Sequence, residues 1–146
     1  MIPVFEKEGY LPAGIHLATL NEVEVRFSYT VWRKELFKHL LILIEDLKTI
    51  ECNAIYLDGS FTTAKRIPGD MDICWEDEGI DYNMVEQKIP ILFDFDDGRK
   101  NQQAKYKADI FPANLIEGSI GAPFLEFFQK DKTTGNLKGI VKVIIN

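Results

Sequence analysis

Apolar residues recur every three or four positions between residues 31 and 50, where Leu36, Leu40, Leu43 and Leu47 run with Phe37, Leu41 and Ile44 beside them. A stripe that wide predicts one long helix lying on a sheet, rather than a groove for a partner helix. Before it, Thr19-Leu-Asn-Glu22 has the spacing of a capping box and opens a short helix to about Phe27. Residues 1–18 carry Pro3, Gly9, Pro12 and Gly14, and predict an extended arm wrapping the surface. After the long helix the apolar runs shorten to strand length, at 53–58 and 70–75, with room for a short helix at 60–65 and a turn at Pro68-Gly69. Residues 81–88 predict a helix stopped by Pro90, residues 91–95 a further strand, Asp96-Asp-Gly98 a turn, and residues 105–111 a strand ending at Pro112. Gly118 and Gly121 bracket a loop, Pro123 opens a helix to about Lys130, and residues 139–145 close the chain as a strand. The pattern predicts a single α+β domain over residues 1–146, a mixed sheet flanked by helices.

Bulk properties narrow the class. A chain of 146 residues with 46% apolar and 12% aromatic residues is long enough and apolar enough for a buried core. Its formal net charge of −6 argues against general attraction to DNA or RNA. The one candidate for a local contact is Arg99, Lys100, Lys105 and Lys107 around Tyr106, a run that reads better as a solvated surface. Cys52 and Cys74 lie in or beside apolar runs without a second pair, as reduced core cysteines of a cytoplasmic protein would. His16 and His39 are isolated and predict no zinc site. Pro3, Glu6 and Glu8 near the start do not make a secretory leader, and the longest apolar run, residues 40–44, is too short to span a bilayer.

The chemistry concentrates between residues 53 and 75. The apolar run Asn53-Ala-Ile-Tyr-Leu-Asp58 ends in Gly59-Ser60, and after nine intervening residues comes Asp70-Met-Asp72. On a strand Asp70 and Asp72 share one face, while Met71 and Ile73 share the other. Two carboxylates that close raise each other's pKa unless a divalent cation neutralises them, and Mg²⁺ or Mn²⁺ suits oxygen ligands shared with a phosphate. Gly59 lets backbone approach a phosphate closely, and Ser60 adds a hydroxyl and an N–H. Residues 59–66 also have P-loop-like spacing, but Ala64 and Arg66 stand where a second glycine and a metal-binding hydroxyl are needed, which rejects that reading. Asp58 is expected to stabilise the turn.

Gly59-Ser60 followed by Asp70-Met71-Asp72-Ile73 resembles the Gly-Ser…Asp-x-Asp signature of the DNA polymerase β-like nucleotidyltransferases, which include minimal enzymes of bacterial toxin–antitoxin modules. Residues 2–16, Leu57-Asp-Gly-Ser-Phe61 and Lys138-Gly-Ile-Val-Lys142 resemble an uncharacterised bacterial branch of that group. The resemblance implies a nucleotidyltransferase-like mixed sheet, Mg²⁺ or Mn²⁺ on Asp70, Asp72 and a third acid, an NTP substrate and a protein or RNA acceptor, in a toxin–antitoxin or phage-defence setting. Asp109, within Tyr106-Lys-Ala-Asp-Ile-Phe111, is the best match for the third acid, with Asp94 the alternative. Thr63 and Gly69 stand where the minimal enzymes carry Arg and Ser, so Lys65 or Arg66 would replace the missing phosphate contact beside Gly59 and Ser60. A catalytically inactive module of the same fold and a metal-dependent phosphohydrolase are the competing classes; for the latter, Asp70 would have to follow an apolar strand directly, and it follows Pro68-Gly69 instead.

Overall fold

The computed structural model describes residues 1–146. Five strands form one mixed sheet: β1 (Gly14–Ala18), β2 (Ala54–Asp58), β3 (Met71–Trp75), β4 (Ala108–Pro112) and β7 (Gly139–Ile144), in the order β1-β7-β2-β3-β4. β7 runs parallel to β1 and antiparallel to β2, β2 is antiparallel to β3, and β3 is parallel to β4. A two-stranded hairpin, β5 (Ile116–Glu117) with β6 (Ala122–Pro123), stands apart from this sheet. The helices are α1 (Leu20–Phe27), α2 (Val31–Lys48), α3 (Tyr82–Lys88), α4 (Asp96–Tyr106) and α5 (Phe124–Phe127).

Alternation along the strands sorts the residues onto two faces. Ile55 and Leu57 of β2, Met71, Ile73 and Trp75 of β3, Ile110 of β4 and Val141 and Val143 of β7 pack into the main core with Val23 and Phe27 of α1. The predicted stripe of α2 faces that core: Leu36, Leu40, Leu43 and Leu47 are fully buried, each worth roughly 2 kcal/mol of burial. The capping box forms as spaced, with the Glu22 N–H donating to Thr19 Oγ1 and the Thr19 N–H to the Glu22 carboxylate. The opposite face carries a smaller cluster of Tyr56, Cys74, Phe111 and Ile140 under Phe128. Both cysteines are free and buried. No helix is long and apolar enough to cross a membrane.

Several segments depart from the sequence expectation, among them the helix expected to run to about Lys130, which ends at Phe127. Within the expected arm, residues 14–18 are a sheet strand, because β7 supplies a parallel partner from the far end of the chain. Residues 90–93 are a 3₁₀ turn and not a strand, with Pro90 at the start and no neighbouring strand to pair with. Residues 96–106, expected to hold a turn and the start of a strand, are α4, whose entry has Asp97, Gly98 and Arg99 in left-handed conformation. Little of α4 is apolar, so periodicity gives no signal there. Its hold on the sheet comes from buried Tyr106 and Gln102, whose Oε1 accepts the Ile110 N–H of β4 at 2.8 Å.

Candidate functional site

Sheet register brings the aspartates together. Asp58 of β2 lies opposite Asp72 of β3, and Asp72 lies beside Asp109 of β4, so three carboxylates from three adjacent strands form one row on the face away from the main core. Asp70 immediately precedes β3, and one carboxylate oxygen each of Asp70, Asp72 and Asp109 fall within 4.8 Å of one another. The predicted trio therefore converges, with Asp109 as its third member. Asp94 is engaged elsewhere, accepting the Asp96 N–H at 3.2 Å and the Asn101 amide at 2.7 Å.

Crowding shows in the acid strengths. Burial first, then Asp58, Asp70 and Asp109, push the Asp72 carboxyl up to about 7. Burial and then Asp109 also raise Asp70. Asp58 is raised by burial, against the pull of Lys138, whose ammonium sits 3.2 Å from its carboxylate. Asp58 is thus the counter-ion of a half-buried lysine rather than a simple turn residue. Two side chains of α4 reach the trio, and one of them, Gln103, links two of its members. The Gln103 amide donates to Asp70 at 2.9 Å and to Asp109 at 2.8 Å, and the Arg99 Nε lies 2.9 Å from Asp109 Oδ1. Three hard oxygen donors with no histidine or thiol among them fit Mg²⁺ or Mn²⁺, and a carboxyl forced up to about 7 is a group that a divalent cation would relieve.

Gly59 explains itself by contact. Its φ of +82° is left-handed, and a Cβ there would lie 3.0 Å from both the backbone N and Oδ2 of Asp72. Gly59→Ala is expected to cost about 2 kcal/mol in urea denaturation, from backbone strain and this collision; an unchanged midpoint would show that the turn relaxes freely. Ser60 Oγ accepts the Gly69 N–H at 3.2 Å, tying the 3₁₀ turn Ser60–Thr62 to the segment that delivers Asp70.

Beside the row opens a cavity of about 740 Å³, into which Asp58, Gly59, Ser60 and Asp72 all project. Its cationic lining is Lys7, Lys65, Lys130, Lys132 and Lys138. Lys65 and Arg66 are both exposed, and of the two only Lys65 lies on the lining. Lys130, Lys132 and Lys138 were invisible to motif reading, because only the approach of the segment before β7 to the β2 turn makes them neighbours. The basic run around Tyr106 dissolves in the same geometry: Arg99 is paired with Asp109, Lys105 with Asp46 at 3.1 Å, and Tyr106 is buried.

The loop that carries Gly59 to Lys65 is held from beneath by Arg33 of α2, which is fully buried. Its guanidinium donates to the carbonyls of Phe27 at 3.1 Å, Phe61 at 2.7 Å, Thr63 at 2.9 Å and Lys65 at 2.5 Å. Nothing local in the sequence marks it, because three of its four acceptors are backbone carbonyls about thirty residues further along the chain.

One family model matches residues 3–144, from the N-terminal segment through β7. The chain belongs to that family, a family of unknown function (DUF6932). No curated protein and no solved structure matches it. Membership in DUF6932 brings no activity with it, so the chemistry of the site is the guide. What the site offers is an oxygen-only cation trio sharing Asp72 with a lysine-lined cavity.

Proposed function

We propose that the chain is a cytoplasmic, metal-dependent nucleotidyltransferase that moves NMP from an NTP to a hydroxyl of a protein or RNA acceptor, in a toxin–antitoxin or phage-defence setting. The observation that carries this reading is the juxtaposition of three carboxylates with five lysines across the Gly59-Ser60 turn. Lysines in an acidic protein, gathered on one cavity, supply the charge that a triphosphate needs. Lys130, Lys132 and Lys138 would hold the β and γ phosphates, with Lys65 and the Ser60 N–H completing the cradle in place of the missing arginine. Asp58 holds the Lys138 side chain against the cavity wall, 3.2 Å from its own carboxylate. Asp70, Asp72 and Asp109 would hold Mg²⁺ or Mn²⁺, which when bound neutralises phosphate charge and lowers the pKa of a nearby hydroxyl. Asp109 would take the acceptor's proton; the acceptor oxygen would bond to the α-phosphorus as the bond to the bridging oxygen breaks, and pyrophosphate would leave toward the lysines.

One observation favours a second reading, a non-catalytic nucleotide- or partner-binding module: Asp109 is already neutralised by Arg99. Incubation with each labelled NTP, Mg²⁺ and cell extract separates the two. Transfer of label by wild type, lost in Asp70→Asn, is the expected result. NTP binding without transfer would establish the non-catalytic module, and phosphate release from simple monoesters would replace both with a phosphohydrolase.

A further inference from the structure

We propose that Arg99 is a built-in cation that competes with the divalent ion for Asp109, while its helical neighbour Gln103 aligns the carboxylates to receive that ion. The proposal rests on the reading of Asp70, Asp72 and Asp109 as the cation site. Arg99 and Gln103 are one turn apart on α4 and reach the same cluster. Their chemistry differs in the way that matters. Gln103 is neutral, and its single amide nitrogen bonds Asp70 and Asp109 at 2.9 and 2.8 Å, drawing together two groups that repel. It can stay in place when a cation arrives, since each carboxylate has a second oxygen to offer.

Arg99 carries a full charge and lies against both oxygens of Asp109, with Nη2 donating to Oδ2 at 3.4 Å and Nε 2.9 Å from Oδ1 as a charge contact. A guanidinium seated there blocks a metal's approach to Asp109 and repels a dication next to it. The side chain also lies over the Phe111 ring, 5.6 Å from its centre, which gives it a second resting contact on the same face. Its backbone is the last of three consecutive left-handed residues, with φ of +62° at Arg99 and +49° at Asp97. A non-glycine residue is held in that region at a cost, so the turn that presents Arg99 is a strained element that a shift of helix entry would relieve. In this arrangement one of the three carboxylates, Asp109, is already paired with a cation, and loading requires Arg99 to give it up.

The two residues therefore predict changes of opposite sign, which a merely structural role for α4 would not produce. Mn²⁺ binding to the full chain, followed by the electron paramagnetic resonance of free Mn²⁺ and by the metal-dependent rise in melting temperature, reads this without any assay of transfer. Arg99→Gln is expected to tighten Mn²⁺ binding about tenfold or more, and Gln103→Met to weaken it about fivefold. Arg99→Lys, which keeps the charge but not the two-oxygen grip, is expected to fall between wild type and Arg99→Gln. Circular dichroism of each metal-free variant confirms that it is folded, and Arg99→Lys carries the test alone if Arg99→Gln is not. Unchanged or weaker binding in both Arg99 variants, with wild type binding Mn²⁺, would overturn the competition and leave the metal site standing. Absence of Mn²⁺ binding in wild type and all variants would overturn the metal reading and the competition with it.

Discussion

Replacing Asp72 with asparagine is expected to lower nucleotidyl transfer about a thousandfold and, in the same molecule, to make the metal-free protein more stable at pH 8. Both effects follow from one position. Asp72 stands between Asp58 and Asp109 in the row and its carboxyl is raised to about 7 by burial and by Asp58, Asp70 and Asp109. In the unfolded chain the same group titrates in the ordinary carboxylate range. Between those limits the folded protein holds a proton that the unfolded chain releases. This contribution is thus favourable at acidic pH and is lost as pH rises through about 7. Asparagine removes the repelling charge while keeping the shape that Gly59 packs against, for a gain on the order of 2 kcal/mol, or roughly 5 °C. Thermal melts at pH 8 and pH 5.5, with and without Mg²⁺, check this. The melting temperature of wild type should rise with Mg²⁺ at pH 8, that of Asp72→Asn should not, and the gap between the metal-free proteins should shrink at pH 5.5. A variant less stable than wild type at pH 8 would show that Asp72 is held for its structure and not against it.

Arg33→Met is expected to destabilise the protein by about 4 kcal/mol, because the guanidinium is the shared donor for four carbonyls and each buried acceptor left unmet costs about 1 to 3 kcal/mol. Methionine matches the length of the stem and so isolates the loss of donors from the loss of volume. The guanidinium carries no carboxylate partner; its charge is offset by the carbonyls of residues 27, 61, 63 and 65 and by the Tyr29 ring, 4.8 Å away. Arg33→Lys should recover only part of the stability, since one ammonium cannot span carbonyls on two separate segments. Urea denaturation gives the first result. NTP binding at a urea-free, fully folded temperature gives the second, because loosening residues 61–65 releases the loop that supports Gly59, Ser60 and Lys65. A loss under about 1 kcal/mol would mean that water takes over the carbonyls.

The parts of this site legible in the sequence were those whose chemistry is local. Gly59-Ser60 and Asp70-Met71-Asp72 declare themselves because a short turn and a two-residue strand period fix their relation within a few positions. Asp109 was reachable because its apolar neighbours Ala108 and Ile110 mark a buried strand. The long helix was legible from its leucines and α1 from its capping box. What remained hidden depends on contacts across the chain. Residues 14–18 become a strand only when β7, more than a hundred residues later, runs beside them. The apolar residues at 91–93 suit a strand or a buried turn equally, and the absence of a strand partner decides for the turn. Lys138 reads as a surface residue until it is set against Asp58, and Arg99 reads as part of a basic patch until it is set against Asp109.

Gln102 has a consequence for how this molecule meets its own copies. A strand at the rim of a sheet leaves backbone groups free, and these invite a strand from another molecule. At β4 the Ile110 amide is already taken by the Gln102 side chain of a helix lying alongside, so that flank is closed by the chain's own covalent neighbour. The charged row nearest that flank is thereby kept from being buried through strand exchange. Assemblies that zip sheets together across β4 would first have to peel α4 away, which leaves β1 as the rim of the sheet open to such pairing.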